Sequence, residues 1–300
     1  MRALVTGGTG FIGRRLVSRL DRPIVLSRDP ERARMLLGRD IDVVGWDAAG
    51  EPPPARAFSG VEAVFHLAGE PVAEGRWNAA KKDRIRESRV ASTRHLVAAL
   101  ESMRERPRVL VCGSAVGFYG DRGDEVLDET SGPGSDFLAG VCQQWEAEAR
   151  RAATLGMRVV LARTGIVLDA AGGALAKMLP PFRVGVGGRL GSGRQWMPWI
   201  HLDDEVNLLL HAAENAAVSG PLNVVGPAPA TNAEFTRELG RALRRPAIFP
   251  VPSLAVRVML GEVAEVVLGS QRAMPRAAEK TGYKFRHKTL PEALRAALGG

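Results

Sequence analysis

The stretch that most constrains this chain is its first 28 residues. Arg2–Thr6 is a short apolar run of strand character. Gly7, Gly10 and Gly13 follow in G-x-x-G-x-x-G spacing, and an apolar pattern of helical period (Ile12, Leu16, Val17, Leu20) starts inside the glycine run. Ile24–Ser27 then reads as a second strand. Strand, glycine loop, helix and strand in this order make a glycine pattern read as a dinucleotide-binding turn. Gly7 permits the tight turn, Gly10 lets the backbone approach a pyrophosphate, and Gly13 lets helix and strand pack closely. The helix start, with Phe11 and Ile12, offers unpaired N–H groups and a partial positive charge to the phosphates. A glycine turn without a ligand is the alternative, and the flanking strand and helix count against it.

The end of the second strand discriminates between dinucleotides. An NAD site places Asp or Glu there to hold the ribose 2′-hydroxyl. Here the position holds Ser27, then Arg28, a hydroxyl and a guanidinium suited to a 2′-phosphate. Asp29 falls late and precedes Pro30, so it reads as a helix or turn starter. The expected cofactor is NADP(H).

Composition narrows the classes. With 300 residues, 45% of them hydrophobic, the chain can bury a full core as one large domain or two small ones. No apolar run reaches membrane length and no leader pattern is evident, so a cytoplasmic protein without a membrane partner is expected. Two cysteines, Cys112 and Cys142, argue against a disulfide framework, and five scattered histidines show no metal-ligand spacing, so no metal site is expected. The net charge of +8 invites nucleic acid as a partner, but only six of the 41 basic residues are lysine and no RNA-binding motif occurs. A small-molecule substrate or effector is expected instead, and the oligomeric state stays open.

Strand-like and helical patterns alternate onward: Ile41–Val44, Val61–His66, Arg108–Cys112, Gly156–Leu161 and Leu222–Val225 read as strands. The helices between them have the length of parallel crossovers. The predicted fold class is α/β, a Rossmann-like doubly wound parallel sheet with a smaller, mainly helical C-terminal substrate region. Residues 1–170 form the expected cofactor domain, to which the strand near 222–226 returns, and 171–300 the substrate side. Gly172–Trp199, rich in Gly with Pro180-Pro181 and several arginines, reads as a long irregular functional segment. Thr231-Asn-Ala-Glu234 is a capping box that opens a helical C-terminal part. In the long helix after His66-Leu67-Ala68-Gly69, the stripe Ile85, Arg89, Ser92, Leu96, Leu100 turns Arg89 inward near the strand ends, toward a ligand; a snorkelling edge arginine is the alternative.

These residues resemble a known family. The glycine loop, His66–Gly69, Gly113-Ser114-Ala115 and Trp199-Ile-His-Leu-Asp203-Asp204 are similar to the extended short-chain dehydrogenases/reductases, the NAD(P)-dependent epimerases and dehydratases. Leu67–Pro71, Gly75-Arg-Trp77, Met178–Arg183, Gly191–Gln195 and Gln271–Pro275 resemble the YfcH-like epimerase-family subgroup, with its C-terminal domain of unknown function. The resemblance spans essentially the whole chain and implies NADP(H) binding, with Leu67, Ala68, Gly69, Arg89, Ser114 and Val167 beside the glycine loop at the cofactor.

One departure stands out. The family's general acid–base pair, Tyr-x-x-x-Lys, belongs on the helix that here reads Asp136–Glu146. Its two positions hold Leu138 and Cys142, or Phe137 and Val141 in the neighbouring register, and no lysine lies between Lys82 and Lys177. Ser114 matches the family's catalytic serine, and Tyr119 is the candidate replacement proton donor, given a cationic neighbour. The alternative is that Tyr119 packs in its loop and Ser114 only binds cofactor. Arg183, Arg189, Arg194 and Gln195 are candidates to hold an anionic or hydroxyl-rich substrate. Two functions follow: an NADP(H)-dependent epimerase or oxidoreductase-like enzyme lacking the Tyr–Lys pair, or a non-catalytic NADP-binding regulatory protein, for example in cell division.

Overall fold

The computed structural model describes residues 1–299. The first half of the chain forms β1 (Ala3–Thr6), α1 (Phe11–Val17), β2 (Ile24–Ser27), α2 (Pro30–Leu37), β3 (Asp42–Gly45), β4 (Ala63–His66), α3 (Ala79–Glu101), β5 (Val109–Ala115), β6 (Val126–Leu127) and α4 (Phe137–Arg150). The second half forms β7 (Arg158–Thr164), β8 (Ile166–Asp169), α5 (Gly173–Arg183), β9 (Trp196–Met197), β10 (Trp199–His201), α6 (Leu202–Glu214), β11 (Gly220–Val224), β12 (Ala230–Thr231), α7 (Asn232–Leu243) and α8 (Ser253–Leu260), and ends on a helix, Leu290–Ala297.

Seven strands make one parallel sheet in the order β3-β2-β1-β4-β5-β7-β11. Strand order reverses between β1 and β4, and such a switch point opens a crevice at the C-terminal strand ends. Alternation along each strand feeds two cores. Val5, Phe65, Val111 and Val160 pack on the α6 side; Leu4, Val64, Leu110 and Leu161 pack on the other side with Leu96 and Leu100 of α3. Each such buried side chain contributes about 1.5–3 kcal/mol. A third cluster joins Leu175, Leu179 and Phe182 of α5 to Phe235 and Leu239 of α7 and Leu294 of the last helix.

Two differences from the sequence reading matter, and one local reading holds. β5 runs on to Ala115 and β7 to Thr164, so Ser114 and Arg163 are strand residues rather than loop residues. The segment read as irregular from Gly172 contains the helix α5, because Leu175, Leu179 and Phe182 recur at helical spacing. The helix ends two residues after Pro181. The capping box at Thr231 and Glu234 is present and opens α7.

Candidate functional site

The glycine loop is built as its spacing requires. Gly7 has φ +69°, a left-handed conformation that favours glycine, and a side chain there would collide with the Leu67 backbone. A Cβ on Gly13 would lie 2.1 Å from the Gly7 carbonyl oxygen, so α1 sits against the loop only because residue 13 has none. A Cβ on Gly10 would meet only the Gly7 oxygen, at 3.1 Å, so its outer side is open. Phe11 lies against Gly172 and Gly173, tying the loop to the start of α5.

A groove of about 350 Å³ opens at the switch point. Its walls are Thr6, Gly7 and Thr9 from the first turn, Ser27, Arg28, Asp29 and Arg32 from the end of β2 and the start of α2, Trp46–Ala49 after β3, and Ala68–Pro71 after β4. The Ser27 hydroxyl donates to the Asp29 carbonyl at 3.0 Å, and the Asp29 carboxylate accepts the Arg32 N–H at 3.0 Å, capping α2. Asp29 therefore serves the helix start. Arg28 and Arg32 are both exposed on this rim. Arg32, Trp46 and Asp47 were missed in the sequence. The available signal was topological: in a β3-β2-β1 order, the residues after β3 reach the same sheet edge.

The other proposed cofactor residues are distributed around the groove. Gly7, Ser27, Arg28, Ala68 and Gly69 line it. Ala68 N–H donates to Thr6 Oγ1 (3.2 Å), which fixes the turn after β4. Gly10, Phe11, Ile12, Gly13, Leu67, Arg89, Ser114 and Val167 lie outside its lining. Arg89 sits behind the wall: its guanidinium packs against Gly69 and over Trp145, and donates to the Glu70 and Ile85 carbonyls at 3.0 and 3.1 Å. Its charge supports the turn that carries Gly69 and Glu70. His66, sealed between Thr6 Oγ1 and Ser92 Oγ, is held neutral by burial, its pKa down to about 4.

Behind the β5 end runs a buried polar chain. Ser114 Oγ donates to Glu146 Oε1 at 2.8 Å. Glu146 also accepts Arg163 Nε and Nη2 (2.8 and 2.9 Å) and Arg150 Nη2 (2.9 Å). Arg163 Nη1 donates to the Tyr119 hydroxyl at 3.0 Å, and Tyr119 donates to Asn223 Oδ1 or the Asp128 carbonyl, at 2.7 and 2.9 Å. Tyr119 thus has the cationic neighbour the sequence reading asked for, yet it is fully buried, and burial pushes its pKa up. It faces this chain and not the groove. The α4 positions of the Tyr–Lys pair are structural in form: Leu138 and Phe137 pack with Trp77, Ile85 and Val263, and Cys142 is buried, its thiol pushed up to about 11.

The substrate candidates separate as well. Gln195 is buried, and its amide donates to the Leu190 carbonyl at 3.1 Å, bracing its own loop. Arg183 and Arg194 are exposed and do not line the groove. The motif ending in Asp203-Asp204 is a clasp. Asp203 pairs with Arg15 of α1, and Asp204 accepts from Tyr283 Oη, Arg286 N and His287 N at 2.8–3.0 Å, tying the C-terminal segment to α6.

The NAD dependent epimerase/dehydratase family matches residues 3–226, a span that holds the glycine loop, the groove and the whole sheet. The chain belongs to that family. Residues 251–297 match a domain of unknown function, DUF1731. This family member is 44% identical over 297 residues to the epimerase family protein Mb2239 of Mycobacterium bovis, covering 97% of this chain and 95% of that one. The crystal structure of human epimerase family protein SDR39U1 (isoform 2) with NADPH superposes with a TM-score of 0.88 at 36% identity, covering all of both chains. A UDP-glucuronic acid 4-epimerase from Bacillus cereus, 16% identical with a TM-score of 0.80 over 100% of this chain and 98% of that one, shares the fold.

Proposed function

We propose that this epimerase-family protein binds NADP(H) in the switch-point groove and exchanges hydride with a small carbonyl or sugar-type compound, without a Tyr–Lys pair. One observation carries the reading: the β2 end offers Arg28 and Arg32 on an open rim, while the nearby acid, Asp29, is engaged in capping α2. Two guanidiniums suit a 2′-phosphate; an NAD site needs a free carboxylate there. The likeness to a relative crystallised with NADPH supports it. When bound, the cofactor supplies or accepts the hydride.

This chain's residues do the positioning. Gly10 leaves room for the pyrophosphate. The Ser114 hydroxyl donates its hydrogen bond to Glu146, so the lone pairs of its oxygen are left to accept one from a substrate hydroxyl. A second reading, an NADP(H)-binding regulatory protein, is favoured by the apolar packing of Leu138 and Phe137 and by the burial of Tyr119.

Titration with NADPH and NADH tests the cofactor. NADPH binds more tightly to the native protein, and Arg28→Ala costs about 1.5–3 kcal/mol of NADPH affinity with little change for NADH. Equal affinities in the native protein refute the assignment. Loss of nicotinamide absorbance from bound NADPH on adding a panel of carbonyl compounds and sugar nucleotides supports the enzyme; its persistence throughout moves the reading to regulation.

A further inference from the structure

One face of the C-terminal side is both apolar and basic. After α5 the chain passes Val184 and Val186 and then runs beside residues 246–253. Leu190 bridges Val251 in parallel, Val251 N donates to the Arg189 carbonyl (2.9 Å), and Gly191 N donates to the Val251 carbonyl (2.8 Å). Gly185 lies against Pro246, and α8 starts two residues past Val251. This brings Val184 and Val186 together with Ile248, Phe249, Leu254 and Val258, whose exposures range from 54% for Phe249 to 74% for Ile248. In α8 the inward residue is Val256, while Leu254, Arg257 and Val258 face solvent. The apolar residues thus lie on the outer side, the reverse of an ordinary surface helix. Large apolar side chains this exposed, on two segments held side by side, are the kind of feature that interaction sites use.

The charge of the two stretches that build this face bears on the partner. Ala170–Leu202 and Leu239–Gly261 contain no Asp or Glu. They carry exposed Arg183, Arg189, Arg194, Arg244, Arg245 and Arg257, none of which forms an ion pair among the described residues. A symmetric contact with a second copy through this face would set these guanidiniums against their own kind. Nucleic acid would have no use for projecting aliphatic side chains. Apolar side chains that project from loop tips and a short helix, with unpaired arginines carried by the same two stretches, are suited to the headgroup boundary of an anionic bilayer.

We propose that this face docks peripherally on anionic lipid. Ile248, Phe249, Leu254 and Val258 enter the acyl boundary, and the arginines meet headgroup phosphates. No helix among the described residues is long and apolar enough to cross a membrane, so the contact is superficial. This proposal departs from the expectation of no membrane partner, which was drawn from the lack of a spanning segment.

The test is sedimentation of the full chain with vesicles of phosphatidylcholine alone or mixed with phosphatidylglycerol. The protein is expected to partition onto the mixed vesicles, to leave them as salt is raised, and to ignore phosphatidylcholine. The double variants Ile248→Ser/Phe249→Ser and Arg245→Glu/Arg257→Glu should each lower partitioning about tenfold or more, with NADPH affinity and circular dichroism unchanged. Emission from Phe249→Trp, compared with the native protein, should shift to the blue on mixed vesicles only. No partitioning, equal partitioning onto both vesicle types, or an unshifted Phe249→Trp overturns the proposal. Concentration-dependent dimerisation abolished by Phe249→Ser overturns it in favour of a second copy.

Discussion

Glu146 and Glu205 are both sealed in the interior, on opposite faces of one strand, and they are treated in opposite ways. Their partners, Arg163 and Thr164, are consecutive in β7, so their side chains leave the sheet on different sides. Glu146 accepts from Ser114, twice from Arg163 and once from Arg150. Glu205 accepts only from Thr164, at 2.9 Å, and its Oε2 meets no donor among the described residues. Burial pushes its pKa up to about 8. A buried carboxylate keeps its charge where the fold supplies counter-charge and donors, and gives it up where the fold does not. The α4 face therefore holds an ion-paired chain that ends at Ser114, and the α6 face holds a carboxyl that burial shifts toward its neutral form.

The largest effect should come from breaking the charged chain. Glu146→Ala leaves Arg163, 2% exposed, without its counter-ion and is expected to cost about 3–5 kcal/mol in urea unfolding. A loss below about 1 kcal/mol would show that water or another acid compensates Arg163. The Glu205 side should respond in the other direction. Because Glu205 is raised above its ordinary 4.5, its contribution is complete below that pH and is lost as the pH rises toward 8. Glu205→Gln should thus stabilise the protein by about 2–4 kcal/mol at pH 8 and by little at pH 4. A variant with the native pH profile would show that Glu205 ionises freely.

His66 sharpens the same contrast from the acid side. Held near 4, below its ordinary 6.5, it contributes fully above 6.5, and that contribution is lost as the pH falls toward 4. Removing Glu205 should therefore move the pH of maximum stability upward, read as the shift in Tm across a pH series. The smallest effect is expected at the far end of the chain. Tyr119→Phe leaves Asn223 Oδ1 without its donor and Arg163 Nη1 without its acceptor, at about 1–3 kcal/mol, while NADPH affinity stays unchanged. Loss of turnover in Tyr119→Phe at native stability would restore Tyr119 as a proton donor.

Local patterns in the sequence proved readable wherever neighbours in sequence are neighbours in space. The glycine loop, the Asp29 turn and the Thr231 capping box each depend on residues within one or two turns of one another. The groove was legible in its first wall, Gly7 with Ser27 and Arg28, and again in Ala68 and Gly69. It was not legible in Arg32, which lies one turn into α2, or in Trp46 and Asp47, which enter through strand order. The buried chain was out of reach: Ser114 and Glu146 are 32 residues apart, and Tyr119 and Asn223 are 104.

By itself the sequence determined the parallel α/β architecture, the dinucleotide turn and the absence of a Tyr–Lys pair. Apolar periodicity, glycine spacing and side-chain identity carry those properties locally. Only the tertiary structure decided which titratable groups keep a charge and which residues reach the groove. A pKa depends on the dielectric and on charges a few ångströms away, and these come from segments that meet only after the sheet has formed. The same holds for the exposed arginine-bearing face: its two acid-free stretches are some 40 residues apart in the chain and become one surface through the bridge between Leu190 and Val251.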